Sequence, residues 1–330
     1  MEVCGTHTVS LFRTGVRSML PVSLKLISGP GCPVCVTSQG YIDAACDAAR
    51  IPDVTICTYG DMVRVPGRNG SLAEHRAGGA SVVVVYSARD ALHYAVQHPD
   101  RQVIFLAVGF ETTAPATAAV LLEAAKREIG NFFVFPSHKL IIPAMRAILA
   151  DEGAPIDGFL CPGHVSVIIS AKAYEPIAAG FAKPCVIAGF EAVGMLRGVL
   201  ALLRQVNRGE AAVENVYGVA VTEEGNPLAW RFVEQVFESA PADWRAMGTI
   251  PASGLALRAE YEPFDAERHF GIAVGPDYAP AGCRCGDVIQ GKAAPRDCPL
   301  FGKTCTPSTP IGPCMVSSEG SCAASYKYER

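Results

Sequence analysis

Six cysteines crowd the end of the chain: Cys283-Arg-Cys285, then Cys298-Pro-Leu-Phe-Gly-Lys-Thr-Cys305, then Cys314 and Cys322. Thiolates are the soft ligands that a cubane iron–sulfur cluster requires, and such a cluster takes four of them. Zinc also accepts four thiolates, but its modules carry paired C-x₂₋₄-C knuckles. The spacings here, with 1, 12, 6, 8 and 7 residues between successive cysteines, contain no such pair. Disulfides in an exported protein are a third account. The opening residues, Met1-Glu2-Val3-Cys4-Gly5, show no charged region followed by an apolar one, so no secretory signal is read there. In a reducing compartment a rich cysteine set means metal or redox chemistry more often than structural disulfides.

Ser28-Gly-Pro-Gly-Cys32-Pro-Val-Cys35 supplies another thiol pair. A C-x-x-C pair entering a helix has its thiolate stabilised by the helix N-terminus, which suits thiol–disulfide exchange. Two buried small side chains are the plainer account of the same residues. A phosphate loop fits badly, because Pro30 and Pro33 each remove an amide donor and no G-x-G-x-x-G is completed. Near the start, Cys4-Gly-Thr-His7 sets a thiol and an imidazole three residues apart, both ligands for a transition metal. A nucleophilic cysteine with a histidine base is another reading of that pair. Gly286-Asp-Val-Ile-Gln-Gly291-Lys292 has the spacing of a nucleotide-binding P-loop, but Ala293 stands where the magnesium-binding hydroxyl belongs.

Two segments repeat each other: Ala107-Val-Gly-Phe-Glu111-Thr112-Thr and Ala188-Gly-Phe-Glu191. In each, an apolar strand ends in Gly-Phe-Glu and a helix follows, and in α/β sheets ligand sites gather at such carboxyl ends. A helix-capping carboxylate explains either one alone. The repetition favours two similar α/β halves facing a shared cleft, with Glu111, Thr112, His164 and Glu191 as cleft residues. Cys161-Pro-Gly-His164 and Pro136-Ser-His138-Lys139 also fall at strand ends, with core or capping roles as the alternative.

The elements that must position these residues follow a simple alternation. Apolar runs at Leu24–Ile27, Val54–Cys57, Ser81–Tyr86, Val103–Val108, Phe132–Phe135, Gly158–Cys161 and Pro184–Ala188 read as strands. Amphipathic stretches at Gln39–Ala49, Ala88–Gln97, Thr113–Ile129, Leu140–Ala150 and Ala192–Asn207 read as helices. Continuous apolar strands alternating with helices predict parallel sheet covered on both faces. Asn215–Val221 and Met247–Leu257 are expected to add strands to the second half. The expected fold is α/β: a domain over residues 1–110 with Cys4 and the C-x-x-C pair, a second over 111–260, and a cysteine-rich iron–sulfur module over 261–330.

The bulk properties exclude several classes. Of 330 residues half are hydrophobic and 18% are charged, so sizeable cores can be buried. A net charge of −4, with acids and bases interspersed, leaves no basic footprint for nucleic acid or an acidic membrane. No apolar run reaches the ~18 residues of a spanning helix, so a cytoplasmic protein is expected.

Taken together and in order, several motifs resemble the HypD family of nickel–iron hydrogenase maturation. They are Met1-Glu-Val-Cys-Gly-Thr-His7-Thr, Ser28-Gly-Pro-Gly-Cys-Pro-Val-Cys35-Val-Thr, Gly109-Phe-Glu-Thr-Thr-Ala-Pro115, Cys161-Pro-Gly-His-Val-Ser166, Cys298 to Cys305, and Gly312-Pro-Cys-Met-Val-Ser-Ser-Glu-Gly320. Family members carry a further helical segment ahead of the Met-Glu-Val-Cys motif, so this chain is expected to be shortened or to start elsewhere.

The resemblance implies a redox-active scaffold rather than a conventional turnover enzyme. On it an iron with cyanide and carbon monoxide ligands, Fe(CN)2CO, is assembled. The work is shared with a small HypC-type chaperone, a HypE-type protein that carries cyanide as a thiocyanate, and an unidentified electron donor. It implies that Cys4 ligates that iron with His7 close by, and that Cys32 and Cys35 form a redox pair. It further implies a 4Fe–4S cluster on Cys283, Cys298, Cys305 and Cys322, with Cys285 and Cys314 as an adjacent thiol pair. The alternatives are an iron–sulfur thiol–disulfide reductase acting on protein disulfides, in which Cys4 and His7 are incidental, and a binding module with a zinc-stabilised tail.

Overall fold

The computed structural model describes residues 1–151 and 155–329. The chain forms two compact units and passes back and forth between them. One comprises Met1–Val36, Ile141–Pro227 and Pro280–Arg330; the other comprises Thr37–Leu140 and Leu228–Ala279. The expected consecutive blocks, 1–110, 111–260 and 261–330, do not coincide with these interleaved units.

The unit containing Thr37–Leu140 is built on a parallel sheet. Its strands are β1 (Val54–Thr58), β2 (Ser81–Val84), β3 (Gln102–Gly109) and β4 (Phe132–His138), in the order β2-β1-β3-β4. Val103 through Ala107 have no exposed surface, which is why β3 reads as an unbroken apolar run rather than an alternation. Helices Ala88–Gln97 and Ala114–Lys126 bury their alanine and leucine faces against Cys57, Phe105 and Val134. Tyr41, on helix Gln39–Ala48, stacks on Phe135 at 4.3 Å and donates its hydroxyl to the Phe135 carbonyl.

The other unit holds a smaller parallel sheet of β5 (Phe159–Pro162), β6 (Cys185–Ala188) and β7 (Val213–Asn215), in that order. The chain start extends it, because Glu2 forms parallel bridges with both Leu160 and Ser28. Glu2 is buried, and its Oε1 accepts from Thr8 Oγ1 at 3.0 Å and Ser28 Oγ at 2.8 Å. Helix Ala192–Arg208 joins β6 to β7 and packs on β6.

Strands β8 (Phe237–Trp244) and β9 (Gly248–Leu257) complete the Thr37–Leu140 unit as an antiparallel hairpin beside β4. Three of the sequence expectations change here. Met247–Leu257 is an arm of that hairpin rather than an addition to a parallel sheet, since Gly248, at φ 71°, turns the chain straight back onto β8. Most of Asn215–Val221 is turn, and of Leu24–Ile27 and its neighbour only Ser28 bridges another strand. Among the described residues no helix is long and apolar enough to cross a membrane. The tail is held by short helices, Cys285–Ile289, Pro313–Val316 and Ser321–Tyr328.

Candidate functional site

Cys4 ends the strand-like start of the chain and is the N-cap of helix Gly5–Arg13. Its thiol is buried, and burial, followed by the nearby Glu319 carboxylate, pushes its pKa up to about 11. The backbone N–H groups of His7 and Thr6, at the start of the helix, act in the opposite direction. The thiol is therefore protonated near neutral pH until something replaces the proton, and a bound metal ion does so.

His7 lies on the first turn of that helix and has no exposed surface. Its Nε2 sits 2.9 Å from the Gly189 carbonyl and 3.2 Å from that of Ala188, both acceptors, so Nε2 carries the hydrogen. Nδ1 is buried and has no hydrogen-bond partner among the described residues. Burial lowers the imidazole pKa to about 4 and keeps it neutral. Phe190 packs on His7 at 4.7 Å, and exposed His164 stacks on Phe190 at 3.9 Å. The ends of β5, β6 and the first strand-like segment thus converge at one carboxyl edge, where α/β sheets hold ligands.

Gly5 N donates to the Gly31 carbonyl at 3.0 Å, setting the C-x-x-C loop directly on the Cys4 turn. A Cβ at Gly31 would lie 2.2 Å from Cys4 N, so only glycine permits this approach. Cys32 and Cys35 are joined as a disulfide with Cα atoms 5.2 Å apart. The pair enters one helical turn, Pro33–Val36, and Cys35 N donates to Cys32 Sγ at 3.1 Å.

The six tail cysteines line a single small cavity, with Leu300, Phe301 and Met315 as its apolar wall. Cys283 is half-buried and the other five are buried. Burial, and then the neighbouring Cys285, pushes the Cys283 thiol up to about 12. A hydrogen bond from Cys285 favours the Cys314 thiolate, yet a bond to Cys322 together with burial leaves that thiol well above its ordinary range. Cys322 N donates to Cys314 Sγ at 3.2 Å, and Ile311 N to Cys305 Sγ at 3.4 Å. Among the described residues no three His, Cys, Asp or Glu side chains converge as a single-ion site. The donor set suits a cluster: soft thiols around one dry hollow, with backbone N–H groups aimed at sulfur.

One tail loop reaches both other thiol sites. Ser317 Oγ lies 3.3 Å from Cys32 Sγ, and two residues on, Glu319 Oε1 accepts from Thr6 Oγ1 at 2.6 Å. The helices carrying Cys285 and Cys314 both pack against the turn carrying Cys35.

Comparison with known proteins gives the family. The family model described as the Hydrogenase formation hypA family, HypD, matches residues 1–329. The chain belongs to the HypD family. It is 47% identical to a hydrogenase maturation factor HypD of Cupriavidus necator and 46% identical to those of Escherichia coli and Azotobacter vinelandii. Each of these matches takes in all of this chain and 89% of the relative.

For a HypD-family chain, the sequence motifs fall into place unevenly. Cys4, His7, Cys32, Cys35, His164, Glu191 and all six tail cysteines belong to one unit; Glu111 and Thr112 belong to the other, after β3. Glu111 is buried and Thr112 exposed. Thr113, two residues after Glu111, is the N-cap of the helix that follows, and Glu191, itself an N-cap, makes no cap bond through its side chain among the described residues. Cys161 lies inside β5 against the Cys185 thiol, fully buried, which is a core position. Sequence reasoning assigned no role to Glu2, Phe190, Ser317 or Glu319. All four stand in quoted motifs, but only folding brings Ser317 to Cys32 and Glu319 to Thr6.

Proposed function

We propose that this HypD-family chain is a maturation scaffold and redox donor, on which the Fe(CN)2CO iron of nickel–iron hydrogenase is assembled as cargo at Cys4. The observation that carries the reading is the gathering of three thiol sites in one unit, joined by the Ser317–Glu319 loop and by the packing of both tail helices on the Cys35 turn. Cys4 supplies the soft ligand, His7 is held neutral beside it, and the buried surroundings shield ligated iron from water. A HypC-type chaperone would present a second thiol to the same iron, and a HypE-type protein would bring cyanide as a thiocyanate.

Releasing cyanide from a thiocyanate breaks the S–CN bond, consumes two electrons and leaves a thiolate. Reduced Cys32 and Cys35 can provide both electrons, giving up two protons as they close to the observed disulfide. The disulfide is reopened by exchange with a second dithiol, for which Cys285 and Cys314 are the neighbours in place. A 4Fe–4S cluster held by Cys283, Cys298, Cys305 and Cys322 supplies single electrons from an external donor when bound.

The test is anaerobic purification of the chain co-expressed with its maturation partners. Wild type should carry about four irons of cluster, bleaching near 400 nm on reduction, and further iron with carbonyl and cyanide infrared bands. Cys4→Ala should lose those bands and keep the cluster absorbance. Bands that survive in Cys4→Ala would remove Cys4 from the reading. A wild-type protein with cluster and dithiol activity but no such bands would favour the disulfide-reductase alternative.

A further inference from the structure

We infer that Tyr217, which none of the motifs contains, is a positioning residue for His7 and hence for the Cys4 site; this rests on the reading of Cys4 given above. Its ring stands in a slot between two glycines at adjacent strand ends. A Cβ on Gly163 would lie 2.8 Å from Tyr217 Cδ1, and one on Gly189 would lie 2.9 Å from Cδ2 and Cε2. Each edge of the ring thus presses on the backbone of one strand end, where any other residue would collide with it.

The ring is itself held firmly. Tyr217 N donates to Asn215 Oδ1 at 2.9 Å, and its carbonyl accepts from Ala220 N and Val221 N. Asn215 Nδ2 closes the turn onto the Val221 carbonyl at 2.9 Å. The Tyr217 hydroxyl makes no hydrogen bond among the described residues, so the planar ring and not the polar tip does the holding.

What the ring presses on matters. Gly163 precedes His164 and Gly189 precedes Phe190, the two rings stacked at 3.9 Å. Gly189 also supplies the carbonyl that takes the His7 Nε2 hydrogen at 2.9 Å, and Phe190 packs on the His7 ring, with Tyr217 edge-on to Phe190 at 6.4 Å. Fixing the Gly189 peptide therefore fixes both the tautomer and the tilt of the imidazole beside Cys4. Groups that orient a metal-site histidine in this way are commonly worth about 10–100-fold in metal affinity.

The experiment compares Tyr217→Phe, Tyr217→Leu and Tyr217→Ala with wild type in the full chain. Nitrogen-15 chemical shifts of the histidine side chains report the His7 tautomer, and infrared bands report the cargo iron. Cluster absorbance and melting temperature serve as controls for folding. Wild type and Tyr217→Phe should show His7 hydrogenated at Nε2, with equal retained iron. Tyr217→Leu, which keeps apolar bulk without a flat ring, and Tyr217→Ala should show mixed tautomers and about tenfold less retained iron, with cluster absorbance unchanged. A His7 signal still fixed at Nε2 in the leucine and alanine variants overturns the inference, as does a phenylalanine variant that loses it. If wild type itself retains no carbonyl or cyanide iron, the Cys4 reading fails, and the tautomer comparison still decides whether Tyr217 positions His7.

Discussion

Two buried histidines make the stability of this chain depend on mild acid. His7 is held with a pKa of about 4 and His138 with one of about 3, burial being the larger cause in both. Unfolded, each titrates near 6.5, so between pH 6.5 and about 4 the unfolded chain binds more protons than the folded one and stability falls with falling pH. Each histidine should cost about 2 kcal/mol between pH 7 and pH 5. Urea unfolding at the two pH values checks this, and His138→Gln should remove roughly half of the difference. Gly31→Ala should be costly for a steric reason, because its Cβ would meet the Cys4 backbone at 2.2 Å. A loss of about 3 kcal/mol is expected in thermal melts, together with loss of cargo iron. That Gly31 admits the backbone of Cys4 was not legible in the sequence, because nothing local links residues 4 and 31.

At the level of elements, the helix and strand periods served well wherever burial was continuous. Ala88–Gln97 is a helix over the expected residues, and β1, β3, β4, β5 and β6 lie where the apolar runs place them. Phe237–Trp244 was invisible for an identifiable reason. Its core reads Glu-Ser-Ala-Pro-Ala-Asp, and Pro241 argues against a paired strand; in the hairpin the register shifts between Ala240 and Ala242, so the proline sits at the irregularity. Asp277 ties this hairpin to a helix far away in sequence. Its Oδ1 accepts from Gln39 N at 2.7 Å, at the start of helix Gln39–Ala48, and its Oδ2 from Ala246 N at 2.9 Å in the hairpin turn. Asp277→Ala should lower stability by about 1–2 kcal/mol through loss of a helix-terminal carboxylate and both bonds. Asp277→Asn should recover part of the loss in the same melts.

For the molecule as a whole, the tail is where stability depends on a dense set of thiols. From Pro276 onward there is little apolar periodicity, and the described tail is held by short helices around six thiols. Small modules of that kind need a metal or covalent staple. Cys298→Ser should therefore cut the iron of the purified protein severalfold and raise hydrogen exchange across 280–329. Protection in β3 and β4, whose residues are almost all buried in the other unit, should stay as it is. Uniform loss of protection throughout the chain would show that the tail does not fold around its ligands.

The sequence by itself determined the chemistry available and the family: cysteine number and spacing, the Cys4–His7 pair, the C-x-x-C loop and the alternation of apolar strands with helices are all local. These features follow from residue type and period, which one dimension records completely. Only the tertiary structure decided which of them meet. It carried the chain between two units, so that residues 1–36, 141–227 and 280–330 share one body while Glu111 and Thr112 lie in the other. It also set Glu319 against Thr6, 313 positions away, and seated Tyr217 between Gly163 and Gly189. Such contacts depend on close packing among distant segments, and no spacing along the chain encodes them.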